Sequence, residues 1–131
     1  MNSEHFTDRE MACHHCGVNA CKPELFAALE ALRSLVGIPI TVDDAYRCPV
    51  HNAAVGGAHH SEHVQGIAAD IRIGEMTPAE MYQAARKVDA FGGIGVAEHQ
   101  GYIHVDTRPV EARWCYDAAG KPCLWDGRLD A

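Results

Sequence analysis

The chain reads as a single α+β domain: a small, mostly antiparallel sheet with helices packed on one side. Three features lead there. A length of 131 residues suits one domain and leaves no room for a second full one. Two segments carry the 3.6-residue apolar period of amphipathic helices. Four others read as short strands, and the order is helix, strand, strand, helix, strand, strand. Helices interleaved with strand pairs suit a sheet covered on one face.

Residues 1–22 form a polar arm that carries Cys13, Cys16 and Cys21. The first helix starts at Pro23, whose missing N–H costs nothing in a first turn, with Glu24 complementing the helix N-terminus. Leu25, Leu29, Leu32 and Val36 make its apolar stripe, and Gly37 ends it. Ile38, Ile40 and Val42 then alternate as a strand. Residues 43–62 are irregular and rich in Gly, Pro, Asn and His; a loop this long in a small domain is usually functional. After Gly66, Ile67, Ala69, Ile71 and Ile73 take one face of a second strand. Ala68, Asp70 and Arg72 take the other.

The second helix opens at Thr77, which with Glu80 spells a capping box, while Pro78 takes the first helical position. Met81, Ala84, Ala85 and Val88 form its buried stripe. Residues 91–96 read as a glycine-rich strand. Residues 102–108 alternate strictly, with Ile103, Val105 and Thr107 opposite Tyr102, His104, Asp106 and Arg108. The tail, 109–131, reads as a hairpin extension around Asp117–Gly120. Cys115 and Cys123 straddle it symmetrically and can bond if oxidised.

Charge and hydropathy narrow the function. Eleven basic against eighteen acidic residues give a net charge of −7. Phosphate affinity comes mainly from Lys and Arg, so no nucleic-acid partner is expected. Anionic lipid is disfavoured for the same reason. The longest apolar stretch, Phe26 to Val42, is cut by Glu30 and Arg33 and is too polar to span a bilayer. The N-terminus shows no secretory pattern, so cytoplasmic synthesis is expected, with release to the cell wall by a phage-type lysis or tail route. A monomer is expected.

Two of the strands have an apolar face and a face of metal-type ligands. Asp70 lies on the polar face of one, and His104 on that of the other. His63 precedes Gly66, which can turn the chain back beside Asp70. If the two strands share a sheet, two imidazoles and a carboxylate meet in one cleft. That is a three-ligand zinc site with one position open, the arrangement hydrolytic zinc chemistry uses.

Ser61-Glu62-His63-Val64-Gln65-Gly66-Ile67-Ala68-Ala69-Asp70 resembles the S-x-H-x-x-G-x-A-x-D motif of the zinc D-alanyl-D-alanine carboxypeptidase family. Gly92-Gly93-Ile94-Gly95 followed by His104-Val105-Asp106 is similar to its second signature. Tyr46-Arg47, His51-Asn52 and Gly56-Gly57 resemble its loop before the first ligand. The resemblance covers about residues 3–114 and implies a fold shared with the hedgehog signalling domain. It also implies one zinc on His63, Asp70 and His104, an Arg47 that contacts the developing oxyanion, and a peptidoglycan peptide cut next to a D-amino acid.

The sequence departs from the family at two places. Relatives often carry the catalytic Glu or Asp three residues before the last His ligand, and here that position is Gly101. Glu98, at the spacing of the hedgehog relatives, is the expected base. Asp106 is the alternative base, or else a group that orients a ligand. Where relatives often read Ser-Gly, this chain has Asp44-Ala45. Ser61 and Tyr102 are expected to support the site or touch substrate, and His59 and His60 to be solvated.

Cys13-x-x-Cys16, Cys21 and Cys48 are compatible with a second, structural zinc, with disulfides, or with free thiols. The expected activity is that of a zinc peptidase of the D,D-carboxypeptidase or murein endopeptidase type. A non-catalytic zinc module that binds wall peptide or a protein partner is the rival. A zinc ribbon for nucleic acid is disfavoured by the charge.

Overall fold

The alternating segments pair edge to edge, which satisfies their backbone and gathers their apolar faces into one surface for helices to cover. The computed structural model describes residues 2–57 and 61–130, so His59 and His60 lie outside the described residues. Its helices are α1 (Asp8–Met11), α2 (Pro23–Val36), α3 (Pro49–Ala54) and α4 (Pro78–Ala85). Its strands are β1 (Ile40–Asp44), β2 (Ala68–Ile73), β3 (Gly93–Ala97), β4 (Tyr102–Asp106), β5 (Ala112–Tyr116) and β6 (Pro122–Leu124). A 3₁₀ turn, Arg128–Asp130, follows.

The strands form one six-stranded sheet in the order β1-β2-β4-β3-β5-β6. Every neighbouring pair is antiparallel except β3 and β5. That exception arises because β5 turns back from β4 and pairs beyond it, on β3, running the same way as β3. The α+β architecture is as expected, and the tail hairpin forms from β5 and β6.

Pleating sorts the side chains. Ile71, Ile73, Ile94, Val96, Ile103 and Val105 are buried on one face and join a single core with Leu25, Leu29 and Leu32 of α2 and Met81, Tyr82 and Ala85 of α4. The other face carries Asp70, His104, Asp106 and Trp114, brought side by side by the pairings Asp70↔His104, Gly95↔His104 and Gly95↔Trp114. The helices thus leave one face of the sheet open for chemistry.

Both expected helices form within their expected bounds. The Thr77 hydroxyl accepts from the Glu80 N–H, and the Glu80 carboxylate accepts from the Thr77 N–H at 2.9 Å. Two helices were not expected. Helix α1 has its own capping box, Thr7 with Glu10, and sets Phe6 and Met11 at the positions of a hydrophobic staple. Both are buried in the core. Helix α3 lies in the stretch read as irregular; it has no apolar stripe, and Asn52 is its one buried residue. The first strand also runs later than read, because a bulge between Val42 and Asp44 carries it on to Asp44.

Candidate metal centre

His63, Asp70 and His104 each offer a ligand atom, and the three atoms lie within 4.8 Å of one another. Asp70 Oδ1 is 3.3 Å from His63 Nε2 and 3.2 Å from His104 Nδ1. The imidazoles meet edge to face at 5.2 Å. Both are nearly buried, at 4% and 5% exposure.

The rear nitrogen of each ring is already engaged. His63 Nδ1 is 2.7 Å from the Ala45 carbonyl. A carbonyl only accepts, so this nitrogen carries the hydrogen and Nε2 presents its lone pair to Asp70. His104 Nε2 is 2.7 Å from Asp106 Oδ2, which leaves Nδ1 for the centre. Two oriented imidazole lone pairs and one carboxylate oxygen are the donor set that zinc takes in open sites. The residues present therefore fit a zinc ion.

The carboxylates favour positive charge at the centre, either as a proton on His104 or, in its place on Nδ1, as a metal ion. Burial raises the Asp70 carboxyl, but its bonds to His104 and His63 outweigh this and hold it well below the usual carboxylate range. Burial disfavours a charged His104, yet the Asp106 and Asp70 carboxylates push it up to about 9. Asp106 is fully buried. Its Oδ1 accepts from Arg108 N and Nε, and its Oδ2 faces His104 and Arg108 Nη2 at 2.7 Å. Every acceptor direction is occupied, so Asp106 orients His104 and is not free to act as a base.

The glycines of the second signature make room for this support. A Cβ on Gly93 would sit 2.3 Å from Asp106 Oδ1, and one on Gly95 would sit 2.4 Å from Trp114 Nε1. Trp114 packs against His104 at 5.2 Å and lies under the Arg108 guanidinium at 4.9 Å. Arg108 also reaches Glu62 at 3.1 Å.

Arg47 lies in the same cleft. Its Nη2 donates to Asp44 Oδ2 at 2.7 Å and its Nη1 to Asn52 Oδ1 at 2.9 Å. The bulge in β1 sets this up, placing Asp44 opposite Asp70 and delivering the Ala45 carbonyl to His63. A Cβ on Gly57 would collide with Asn52 Oδ1 at 2.0 Å. Asp44, read as a departure from the family, is thus the partner of Arg47. Ser61 is buried, and its hydroxyl accepts from His63 N at 3.1 Å. Tyr102 lines the cleft, and burial raises its phenol.

Glu98 is not in this constellation. It is exposed in the turn between β3 and β4 and pairs with Arg128. Ala97 is the last residue of β3 on the cleft side, paired with Tyr102. Glu98 is the first residue of the turn that follows, where the pleat no longer applies. The structure thus does not bring Glu98, the expected base, to the ligand set; its carboxylate is engaged by Arg128 instead.

The cleft has a volume of about 690 Å³. Four supporting residues escaped the sequence reading: Asp44, Asn52, Arg108 and Trp114. Asn52 and Arg108 stood within motifs already noticed, but their partners are set by tertiary contacts. Trp114 carried no signal beyond being a tryptophan.

Of the four arm and loop thiols, Cys13, Cys16 and Cys48 come within 4.8 Å of one another. Cys21 does not join them; its sulfur faces the Met11 carbonyl at 3.5 Å. Burial raises the Cys13 thiol, but backbone N–H groups of Cys48, Cys16 and His15 outweigh this and bring it down to about 7. All six cysteines are free, and Cys115 faces Cys123 across the β5–β6 ladder.

Comparison with known proteins bears out the resemblance. A family model described as Peptidase M15 matches residues 4–106. The zinc D-Ala-D-Ala carboxypeptidase of Streptomyces albus G is 38% identical over 80 residues, covering 59% of this chain and 31% of that protein. The chain thus spans about a third of the length of the curated relative it matches.

Proposed function

The chain belongs to the peptidase M15 family, and on that premise we propose that it is a zinc-dependent peptidase hydrolysing peptidoglycan stem or cross-link peptides next to a D-amino acid. The observation that carries the reading is the donor set of His63, Asp70 and His104, with both imidazoles oriented from behind by Ala45 and Asp106. The choice of substrate rests on the similar protein, whose name states zinc and D-Ala-D-Ala.

Zinc bound there would supply Lewis acidity, lowering the pKa of a water and polarising a peptide carbonyl. The chain's own residues have separable tasks. His63 Nε2, Asp70 Oδ1 and His104 Nδ1 would hold the ion. Asp106 keeps the Nε2 proton of His104 in place, and Arg108 fixes Asp106 in turn. The Arg47 guanidinium, clamped by Asp44 and Asn52, offers a fixed cation to charge that appears on the substrate oxygen in the transition state. Tyr102 and Trp114 wall the cleft and position the peptide.

A second reading is favoured by one observation. Each carboxylate lining the cleft is already paired: Asp43 with Arg72, Asp44 with Arg47, Glu62 with Arg108, and Asp70 with both imidazoles. Among the described residues every cleft carboxylate thus has a basic partner, although Asp44 Oδ1 is itself buried without a hydrogen bond. A cleft with no carboxylate clear of a basic neighbour suits a module that binds wall peptide or a protein partner without turning it over.

Incubation with purified peptidoglycan, followed by mass spectrometry of the soluble products, separates the two. New free termini that vanish on chelation and return with zinc support the peptidase. Co-sedimentation without products supports the binding module.

A further inference from the structure

Away from the cleft floor, a second ligand set stands where the N-terminal arm meets the Arg47 loop. Its three sulfurs come from two distant places in the chain, Cys13 and Cys16 in the arm and Cys48 directly after Arg47. The arm segment is folded as a tight turn. Gly17 N donates to the Cys13 carbonyl at 2.9 Å, Cys13 N donates to the Val18 carbonyl at 2.8 Å, and Gly17 takes a left-handed φ of 74°. This turn brings both thiols of a C-x-x-C pair to one side.

The loop approaches that side from below. Cys48 N points at Cys13 Sγ, 3.4 Å away, and the Cys48 sulfur also accepts from His51 N at 3.4 Å, capping α3. One more ligand atom stands at the edge of the trio: His15 Nδ1 lies 3.5 Å from Cys48 Sγ on an exposed ring, without coming within 4.8 Å of all three sulfurs. The His15 ring is stacked on that of His51 at 6.1 Å with an interplanar angle of 6°.

A disulfide uses two sulfurs and would strand the third beside it. Three thiolates are instead three corners of a tetrahedral set for a thiophilic divalent cation, and a turn of the exposed His15 ring would supply the fourth. We propose that Cys13, Cys16 and Cys48, completed by His15, hold a structural zinc ion separate from the His63–Asp70–His104 centre.

The position gives the site a role. Cys48 is bonded to Arg47, and helix α3, which Cys48 caps, carries the Asn52 that clamps Arg47. An ion tied to the arm at Cys13 and Cys16 cross-links chain positions that are 35 residues apart. It stiffens the loop that presents the guanidinium. Cys21, although part of the same cysteine-rich arm, takes no part.

The test uses the full chain, purified under reducing conditions without chelator, and does not depend on peptidase activity. His63→Ala disables the first centre, so metal remaining in that variant reports on the second. It should retain one equivalent of zinc, released when an organomercurial titrates the thiols. Exchange of that zinc for cobalt should give a thiolate-to-cobalt charge-transfer band with the intense visible absorption of a tetrahedral ion. Adding Cys16→Ser, at an exposed turn position, should abolish both signals, whereas adding Cys21→Ser should leave both.

His15→Ala should keep the charge-transfer band but shift the visible absorption, since one nitrogen ligand is exchanged. Amide exchange over residues 46–52 should slow when the His63→Ala protein is reloaded with zinc. The proposal is overturned by a His63→Ala protein that holds no zinc and shows no cobalt–thiolate band. Equally fatal are a disulfide within the trio in the reduced preparation, loss of the band in Cys21→Ser, an unshifted spectrum in His15→Ala, or unchanged exchange at 46–52.

Discussion

His104 is gripped on both ring nitrogens by carboxylates, Asp70 in front and Asp106 behind. The two carboxylates have different tasks, because Asp106 is saturated by Arg108 while Asp70 faces the open cleft. Asp106→Asn keeps the shape but weakens the acceptor behind the imidazole. It should lower zinc affinity roughly 10–100-fold, the usual effect of losing such a partner, as read by competition with a chromogenic chelator. Glu98→Gln, by contrast, should leave turnover of peptidoglycan peptide unchanged, since its partner Arg128 lies outside the cleft. A large loss in Glu98→Gln would mean that the β3–β4 turn rearranges over the substrate. For Arg47, the clamp by Asp44 and Asn52 predicts a group aimed before substrate arrives. Arg47→Ala should lower kcat by roughly 10²–10³ while KM changes little, the pattern of a lost transition-state contact. A rise in KM alone would make Arg47 a binding residue.

At the scale of elements, β3 is shaped by what lies across it. Trp114 occupies the space over Gly95, so Gly95→Ala should cost about 1–3 kcal/mol of stability through overpacking. Thermal unfolding would register this. An unshifted Tm would show that the indole swings aside freely. The arm docks on α2 through Glu30, which accepts from Ser3 Oγ and His5 N at 2.6 Å and meets His5 Nδ1 at 2.7 Å. Burial raises the Glu30 carboxyl, but these bonds outweigh it and hold its pKa below the ordinary 4.5. The sign follows by linkage. The arm contact is at full strength above about pH 4.5 and fades as pH falls through the lowered value. Amide exchange in residues 3–6 should therefore accelerate on acidification, and Glu30→Gln should remove most of that pH dependence. Elements with a strong apolar period, α2, α4, β2 and β4, were legible in the sequence. Helix α3 was not, because its buried side is one asparagine whose partner is an arginine five residues earlier. The β1 bulge was invisible for a similar reason: it satisfies Arg47 and His63 rather than any local rule.

Across the whole molecule, one sheet serves two purposes, with its apolar face packed on α2 and α4 and its polar face gathering the donors. Strand alternation put Asp70 and His104 on polar faces that match if the strands share a sheet, the turn at Gly66 brought in His63, and the S-x-H-x-x-G-x-A-x-D resemblance named the same three. The place of Glu98 was not legible, because it lies in the turn after Ala97 and its partner, Arg128, is 30 residues away. Four of the eighteen acidic residues line the cleft, Asp43, Asp44, Glu62 and Asp70, and each has a basic partner, Arg47 being the one held by Asp44. The account turns on a zinc ion among His63, Asp70 and His104. Anomalous diffraction from zinc-loaded crystals, recorded on both sides of the zinc absorption edge, tests this most directly. The predicted map has a peak in contact with His63 Nε2, Asp70 Oδ1 and His104 Nδ1, with Asp106 still behind His104. No peak at those atoms, or a peak coordinated by His104 Nε2 with Asp106 displaced, would contradict it.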